Sequence, residues 1–350
     1  MKEITTVLVT GSHGYIGSLL TPLLVQAGYR VVGLDTNYFD DAECVFKHLD
    51  NGEHRFIKKD IRRVTAEDLR GIDAICHLAA LSNDPLGALN EQLTLDVNLR
   101  ASIKLAEAAH KAQVKRFLFS SSCSVYGKIG DQAIAEEAPL DPKTAYAVSK
   151  VEFEKFLLAL ADKHFCAVSL RNATAYGSSP KLRLDLVLNN LAAHAFTRRE
   201  IKLVSDGTPW RPMIHAEDIA RLFLAFLEAP AERVSGETVN CGRDEENFQI
   251  KDIAGIVQSQ FKNARITYAE KSEQDSRTYR VSFSKLKKLV PNFTFKWTLK
   301  KSAGELRQDF ASFGLPHDAL SMRNFIRLKQ LEYLIAANRV DSNLFWRCLS

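Results

Sequence analysis

The sequence has no run of apolar residues long enough to span a bilayer. It begins without a basic n-region, apolar core and small-residue cleavage site. A membrane-spanning or secreted protein is therefore not expected, and a cytoplasmic location is. Dense basic runs are also missing: a net charge of +5 tilts the chain mildly toward anionic ligands but builds no patch of the kind that grips nucleic acid. The six cysteines, Cys44, Cys76, Cys123, Cys166, Cys241 and Cys348, make no C-x-x-C pair and no zinc-ligand spacing. Free, buried thiols and no metal are the expectation. No internal repeat or low-complexity segment is evident.

What is present is a chain of 350 residues, 46% hydrophobic and 25% charged, enough for one sizeable domain carrying a smaller one. Apolar runs of strand length at 6–10, 31–34, 56–58, 74–77, 117–120 and 167–170 alternate with helical stretches at 93–110, 145–164 and 182–196. That rhythm predicts an α/β fold with a doubly wound parallel sheet. It breaks after Gly177 at a Ser-Ser-Pro stretch. A further helix at 215–227 and a strand at 237–241 return the chain to the first domain. The expected division is 1–178 with 214–245 as one domain, and 179–213 with 246–350 as the smaller C-terminal α/β domain. Residues 315–350 read as helices on the outside or at a subunit contact.

Gly11, Gly14 and Gly17 follow the first strand directly and open a helix, with His13, Tyr15 and Ile16 between them. A chain that must turn tightly there and let its backbone touch a pyrophosphate needs residues without side chains. Asp35 ends the second strand about twenty residues further on, where a carboxylate can accept both ribose hydroxyls of an adenosine. Thr36, Asn37 and Tyr38 follow it, not the Arg or Lys that a 2′-phosphate would want. NAD is the expected cofactor.

Tyr146 and Lys150 lie four residues apart in Tyr-Ala-Val-Ser-Lys and share one face of a helix. A free phenol titrates near 10, so base chemistry at neutral pH needs a neighbouring positive charge, which Lys150 supplies. A serine at the end of the fifth strand can hold the substrate oxygen beside Tyr146; Ser120, Ser121, Ser122 and Ser124 are all candidates by position. His13 is read as packing or touching phosphate and His215 as a helix cap; neither is read as catalytic.

Four stretches together, 10–17, His77-Leu78-Ala79-Ala80, Ser121-Ser122-Cys123-Ser124-Val125-Tyr126-Gly127 and Tyr146-Ala147-Val148-Ser149-Lys150, resemble the extended short-chain dehydrogenase/reductase family, in its NAD-dependent epimerase/dehydratase group. The resemblance implies a Rossmann domain for NAD and a substrate domain for a nucleotide-diphosphate sugar. It selects Ser122 as the catalytic serine beside Tyr146 and Lys150. It assigns Asp60, with Ile61, to the adenine, Leu78, Ala79, Ala80 and Ser120 to the cofactor, and Asn98 to a supporting role. Against the substrate it places Ser82, Asp84, Cys123, Ser124, Thr174, Asn190, Arg211 and Arg277, the two arginines facing the diphosphate. At Thr174 this chain departs from the family's usual Asn. A homodimer through residues 93–111 and 145–163 is implied as well.

Family members that dehydrate or decarboxylate a keto sugar usually carry Glu just before Val-Tyr-Gly; here Cys123 and Ser124 stand there. The resemblance then implies an isomerase, an epimerase that oxidises the sugar transiently, at C4, and returns the hydride to the opposite face. A nucleotide-sugar 4-ketoreductase, a dehydratase using Asp84, or a non-enzymatic NAD-sensing protein are the alternatives.

Overall fold

The computed structural model describes residues 4–40, 54–82, 90–269 and 278–347. Apolar runs without polar alternation make strands covered on both faces. Thr6–Thr10 (β1) is buried along its whole length. In chain order follow Arg30–Asp35 (β2), Arg55–Lys58 (β3), Ala74–His77 (β4), Arg116–Ser122 (β5), Lys128–Ile134 (β6), Cys166–Asn172 (β7), Thr174–Tyr176 (β8), Glu200–Leu203 (β9), Trp210–His215 (β10) and Glu237–Cys241 (β11). The expected fold class is observed: a parallel sheet in the order β11-β7-β5-β4-β1-β2-β3. From β1 the chain winds outward through β2 and β3, then crosses to β4 on the other side of β1. The crevice at the carboxyl ends of β1 and β4 is thus a topological switch point.

Helices Gly17–Gln26 (α1), Ala101–Lys111 (α2), Ala145–Ala159 (α3), Val187–Arg198 (α4), Ala216–Glu228 (α5), Ile250–Gln260 (α6), Leu299–Phe313 (α7) and Arg327–Ala336 (α8) surround the sheets. Successive strand residues point to opposite faces, so Val7 and Val9 join a cluster with Leu20 and Phe223 from α1 and α5. Leu8, with Phe117 and Phe119, joins the opposite cluster with Leu105 and Phe153 from α2 and α3. A separate cluster gathers Leu188, Ile253, Leu306 and Phe310 from α4, α6 and α7 beyond the crevice.

A buried polar chain fixes the rim of the crevice. Ser102 Oγ donates to the carbonyl of Asn98, so it accepts from His77 Nε2 at 2.8 Å, which leaves Nδ1 to accept from Thr10 Oγ at 2.7 Å. Burial holds this imidazole neutral, its pKa pushed down to about 3. The Asn98 amide grips both backbone groups of Leu81, at 2.8 and 3.1 Å. Asn98 itself sits in a π turn, Asp96–Arg100, that interrupts the helix expected over 93–110.

Three further expectations are corrected. The helix expected from 182 begins at Val187. Ahead of it Leu182 and Leu184 are buried in the apolar cluster while Arg183 and Asp185 pair with each other, at 2.9 Å. That is a period of two, and the stretch is not helical. The helix expected over 145–164 stops at Ala159, where the Asp162 carboxylate accepts from the amides of His164 and Phe165 and holds a turn. Residues 315–350 are not all helix: α8 is followed by an extended return in which Val340 pairs with Trp346.

Candidate active site

The crevice, about 880 Å³, runs from the glycine turn and the end of β2 past Ser120–Ser124 and Tyr146 to Arg211 and Tyr279. At Gly11, φ is +75°, and a Cβ there would lie 2.8 Å from the amide nitrogen of Ala79. A Cβ on Gly17 would lie 2.0 Å from the carbonyl oxygen of Gly11. The turn is therefore closed to side chains where β4 and α1 approach it. No side chain caps α1, and the amides of Tyr15 and Ile16 have no acceptor among the described residues. Open amides at a helix N-terminus are what a pyrophosphate takes, so the residues present fit a dinucleotide.

Asp35 lines the crevice at the end of β2. Its carboxylate accepts from the amides of His13, at 3.0 Å, and Asn37, at 2.9 Å. Burial raises its pKa and those two bonds oppose the rise. His13 stacks its ring on Phe56, with centroids 4.2 Å apart, and is not among the crevice-lining residues; Tyr15 is, and its hydroxyl donates to the carbonyl of Gly177 at 2.6 Å. Asp60, Ile61, Leu78, Ala79 and Ala80 line the same end. The Asp60 carboxylate is held by Arg62 at 2.6 Å. Asn98 stands behind the wall, acting through Leu81.

At the other end Thr144 caps α3, its hydroxyl accepting from the amide of Ala147. Tyr146 and Lys150 then fall on one helix face, with the Lys150 ammonium 5.4 Å from the centre of the Tyr146 ring and 4.6 Å from that of Phe119. Lys150 is 3% exposed and donates to the carbonyl of Ser120 at 2.8 Å. Burial pushes its pKa down to about 7, against the pull of Glu154. Ser120, Ser121, Ser122 and Ser124 all line the crevice. Ser122 Oγ accepts from the amide of Ser124 at 3.2 Å, leaving its hydroxyl hydrogen for a ligand. Cys123 is a correction: it is 1% exposed, and its thiol donates to the carbonyl of Arg171, away from the crevice. Its pKa is raised by burial, and like Cys76, Cys166 and Cys241 it is a free, buried thiol.

Ser82, Thr174, Asn190 and Arg211 also line the crevice. Arg211 is 6% exposed and donates to the carbonyl of Trp210. Asp84 and Arg277 lie outside the described residues. Sequence reading missed Asn172, Arg183, Asp185 and Arg327, all on the crevice wall. Asn172 places an amide on the same wall as Thr174, close to where the family's Asn is expected. Its Oδ1, with the hydroxyls of Ser121 and Ser124, is buried without a hydrogen-bond partner among the described residues. Unsatisfied buried polar atoms on a cavity wall are costly unless a ligand or water meets them. Arg183 is 5% exposed and donates to Ser82 Oγ at 3.0 Å. Two ions alternating with leucines at 182–185 were the available signal for Arg183 and Asp185; Arg327, some 300 positions from the glycine turn, offered none.

Among the described residues no group of His, Cys, Asp and Glu is arranged to hold a metal, and no helix is long and apolar enough to cross a membrane. Comparison with known proteins agrees with the crevice. A model of the NAD dependent epimerase/dehydratase family matches residues 7–242. The chain is 28% identical over 293 residues to YtcB of Bacillus subtilis, described as an uncharacterised UDP-glucose epimerase, covering 81% of this chain and 91% of that one. It is 26% identical over 331 residues to the UDP-glucose 4-epimerase of the same bacterium, covering 87% and 95%. MoeE5, solved in complex with UDP-glucuronic acid and NAD, superposes with a TM-score of 0.76 at 25% identity, covering 88% and 99%.

Proposed function

The chain belongs to the NAD-dependent epimerase/dehydratase family, and from that membership and the crevice we propose an epimerase of a nucleotide-diphosphate sugar acting at C4. The observation that carries this reading is the Tyr146–Lys150 pair beside a serine cluster that lacks the carboxyl of the dehydrating members. Held by the glycine turn and Asp35, NAD would supply the hydride acceptor for the sugar carbon and the hydride returned to it. Tyr146 removes the proton from the sugar hydroxyl as the carbonyl forms, and later returns it. Lys150 favours the phenolate by its charge, and Ser122 donates its free hydrogen to the same sugar oxygen. Turnover of the keto sugar in the crevice would offer its opposite face for hydride return, which would invert the stereocentre.

Dehydration needs an acid for the leaving hydroxyl. Among the described residues the crevice carboxyls are Asp35, Asp60 and Asp185. The first two lie at the adenosine end. Burial of Asp185 favours its neutral form, but the Arg183 ion pair outweighs it and holds the pKa below the ordinary carboxylate range, so Asp185 is a poor proton donor.

On this reading Gly11, Gly14, Tyr15, Ile16, Gly17 and Asp35 hold the cofactor, while Ser82, Ser124, Thr174, Asn190 and Arg211 face the substrate. Residues 1–178 with 214–245 form the cofactor domain and the remainder the substrate domain. A homodimer through residues 93–111 and 145–163 is supported by the half-buried apolar side chains Leu99, Ile103, Phe156 and Leu160, and a cytoplasmic location is part of the same proposal. The deciding experiment incubates purified protein with a panel of sugar nucleotides without added cofactor and follows products by NMR. Interconversion of two epimers is expected; no product until NADPH is added, and then stoichiometric NADPH consumption, would replace the proposal with a reductase.

A further inference from the structure

We infer that Arg327, carried in by the C-terminal helix α8, is a cofactor-binding residue whose guanidinium meets the pyrophosphate of the dinucleotide. It is 5% exposed and lines the crevice with Asp35, Phe39, Tyr15 and Leu344. Its guanidinium lies 4.0 Å from the centre of the Phe39 ring. It donates one hydrogen bond, to the carbonyl of Lys181 at 3.2 Å, and has no carboxylate at ion-pair distance among the described residues. Asp185, the carboxylate that attracts it most, is already bonded by Arg183 at 2.9 and 3.1 Å.

A guanidinium has five donors, and a buried charge without a counter-ion is costly. Burial and the repulsion of Arg183 pull the Arg327 pKa down to about 9 against the attraction of Asp185 and Asp35, the direction expected of a buried cation that its carboxylate neighbours do not fully compensate. The anion that fits must reach a point between the ribose carboxylate, Asp35, and the open amides of Tyr15 and Ile16. A diphosphate bridging an adenosine does so, and its two negative charges suit a planar, bidentate donor. The segment that carries Arg327 is fixed in place: Gln330 donates to the carbonyl of Tyr38 at 2.8 Å, Trp346 Nε1 to the carbonyl of Thr36 at 2.7 Å, and the Tyr38 hydroxyl to the carbonyl of Leu344. The loop after β2 and residues 327–346 thus form one wall, and the cofactor site includes a piece of chain that the family match at 7–242 does not reach. This holds whichever reaction the enzyme performs.

The test is titration calorimetry on the full-length protein freed of cofactor, with ADP-ribose, adenosine and UDP as probes. Arg327→Ala should weaken ADP-ribose by about tenfold or more, the scale of a charge-assisted contact, and leave adenosine and UDP within about twofold. Arg327→Lys should restore part of the loss. Gln330→Ala, which loosens the segment and keeps the charge, should weaken ADP-ribose no more than adenosine. An equal loss of adenosine and ADP-ribose in Arg327→Ala, matching Gln330→Ala, would make Arg327 a packing residue and overturn the inference. A loss confined to UDP would move the contact to the substrate and overturn it too, as would no loss at all.

Discussion

The Lys150 ammonium donates to the carbonyl of Ser120 at 2.8 Å, tying the Tyr146 face of α3 to the end of β5. One bond thus sets the register between the helix that carries the phenol and the strand end that carries the serines. It also keeps a cation in a place that burial disfavours.

That cost makes Lys150 a stability test. Its folded pKa of about 7 lies below the ordinary lysine value of 10.5, so the unfolded chain binds more protons between those values. The penalty is full below about pH 7 and fades as pH rises toward 10.5, so native stability gains with pH across that window. Lys150→Met should unfold at higher denaturant than the native protein at pH 7, with the gap closing by about pH 10, while turnover is lost. A variant that is less stable at every pH would contradict the assignment of an uncompensated charge.

Tyr146→Phe should lower turnover by about 10²- to 10⁴-fold, the scale of a lost acid–base group. NAD affinity, measured by fluorescence titration, should change little. Unaltered turnover would remove Tyr146 from the proton transfer, and a biological role untouched by the substitution in a protein without turnover would favour the non-enzymatic NAD-sensing reading.

Asp35→Ala should weaken NAD, and Asp35→Arg should admit NADP, because the carboxylate at the end of β2 repels a 2′-phosphate and a guanidinium attracts one. Comparison of the two dissociation constants checks it. Equal affinity of the native protein for both cofactors would count against Asp35.

The Arg171–Glu154 pair joins β7 to α3 at 2.8 Å, both side chains almost fully buried. Arg171 also donates to the Tyr126 hydroxyl at 2.9 Å. Glu154→Ala leaves a guanidinium without its anion and should cost about 3–5 kcal/mol, read from chemical denaturation. A loss under about 1 kcal/mol would show that Tyr126 and solvent suffice.

The glycine turn, Asp35 and the Tyr146–Lys150 spacing were legible in the sequence because each is local: a strand, a turn and a helix of known pitch place them. The parallel sheet covered by helices followed from the alternation of apolar and helical runs, while the order of its strands came only with the structure. Cys123 was misplaced because the chain enters a short 3-10 turn after Ser122, and no periodicity announces which way its side chains point. The helix start at Val187 was missed because leucines at 182 and 184 suit either a helix or an extended stretch. Arg327 was beyond reach, since only tertiary packing brings α8 to the loop after β2.

The stretch at 182–185 carries a constraint of a different kind. With leucines inward and ions toward the crevice on alternate residues, the deletion or insertion of one residue there would invert the whole assignment, sending a guanidinium into the apolar cluster and a leucine to the ligand. Change in this part of the chain is tolerable by replacement or by pairs of residues, never by single steps in length, so its spacing should drift far less than that of an ordinary surface loop.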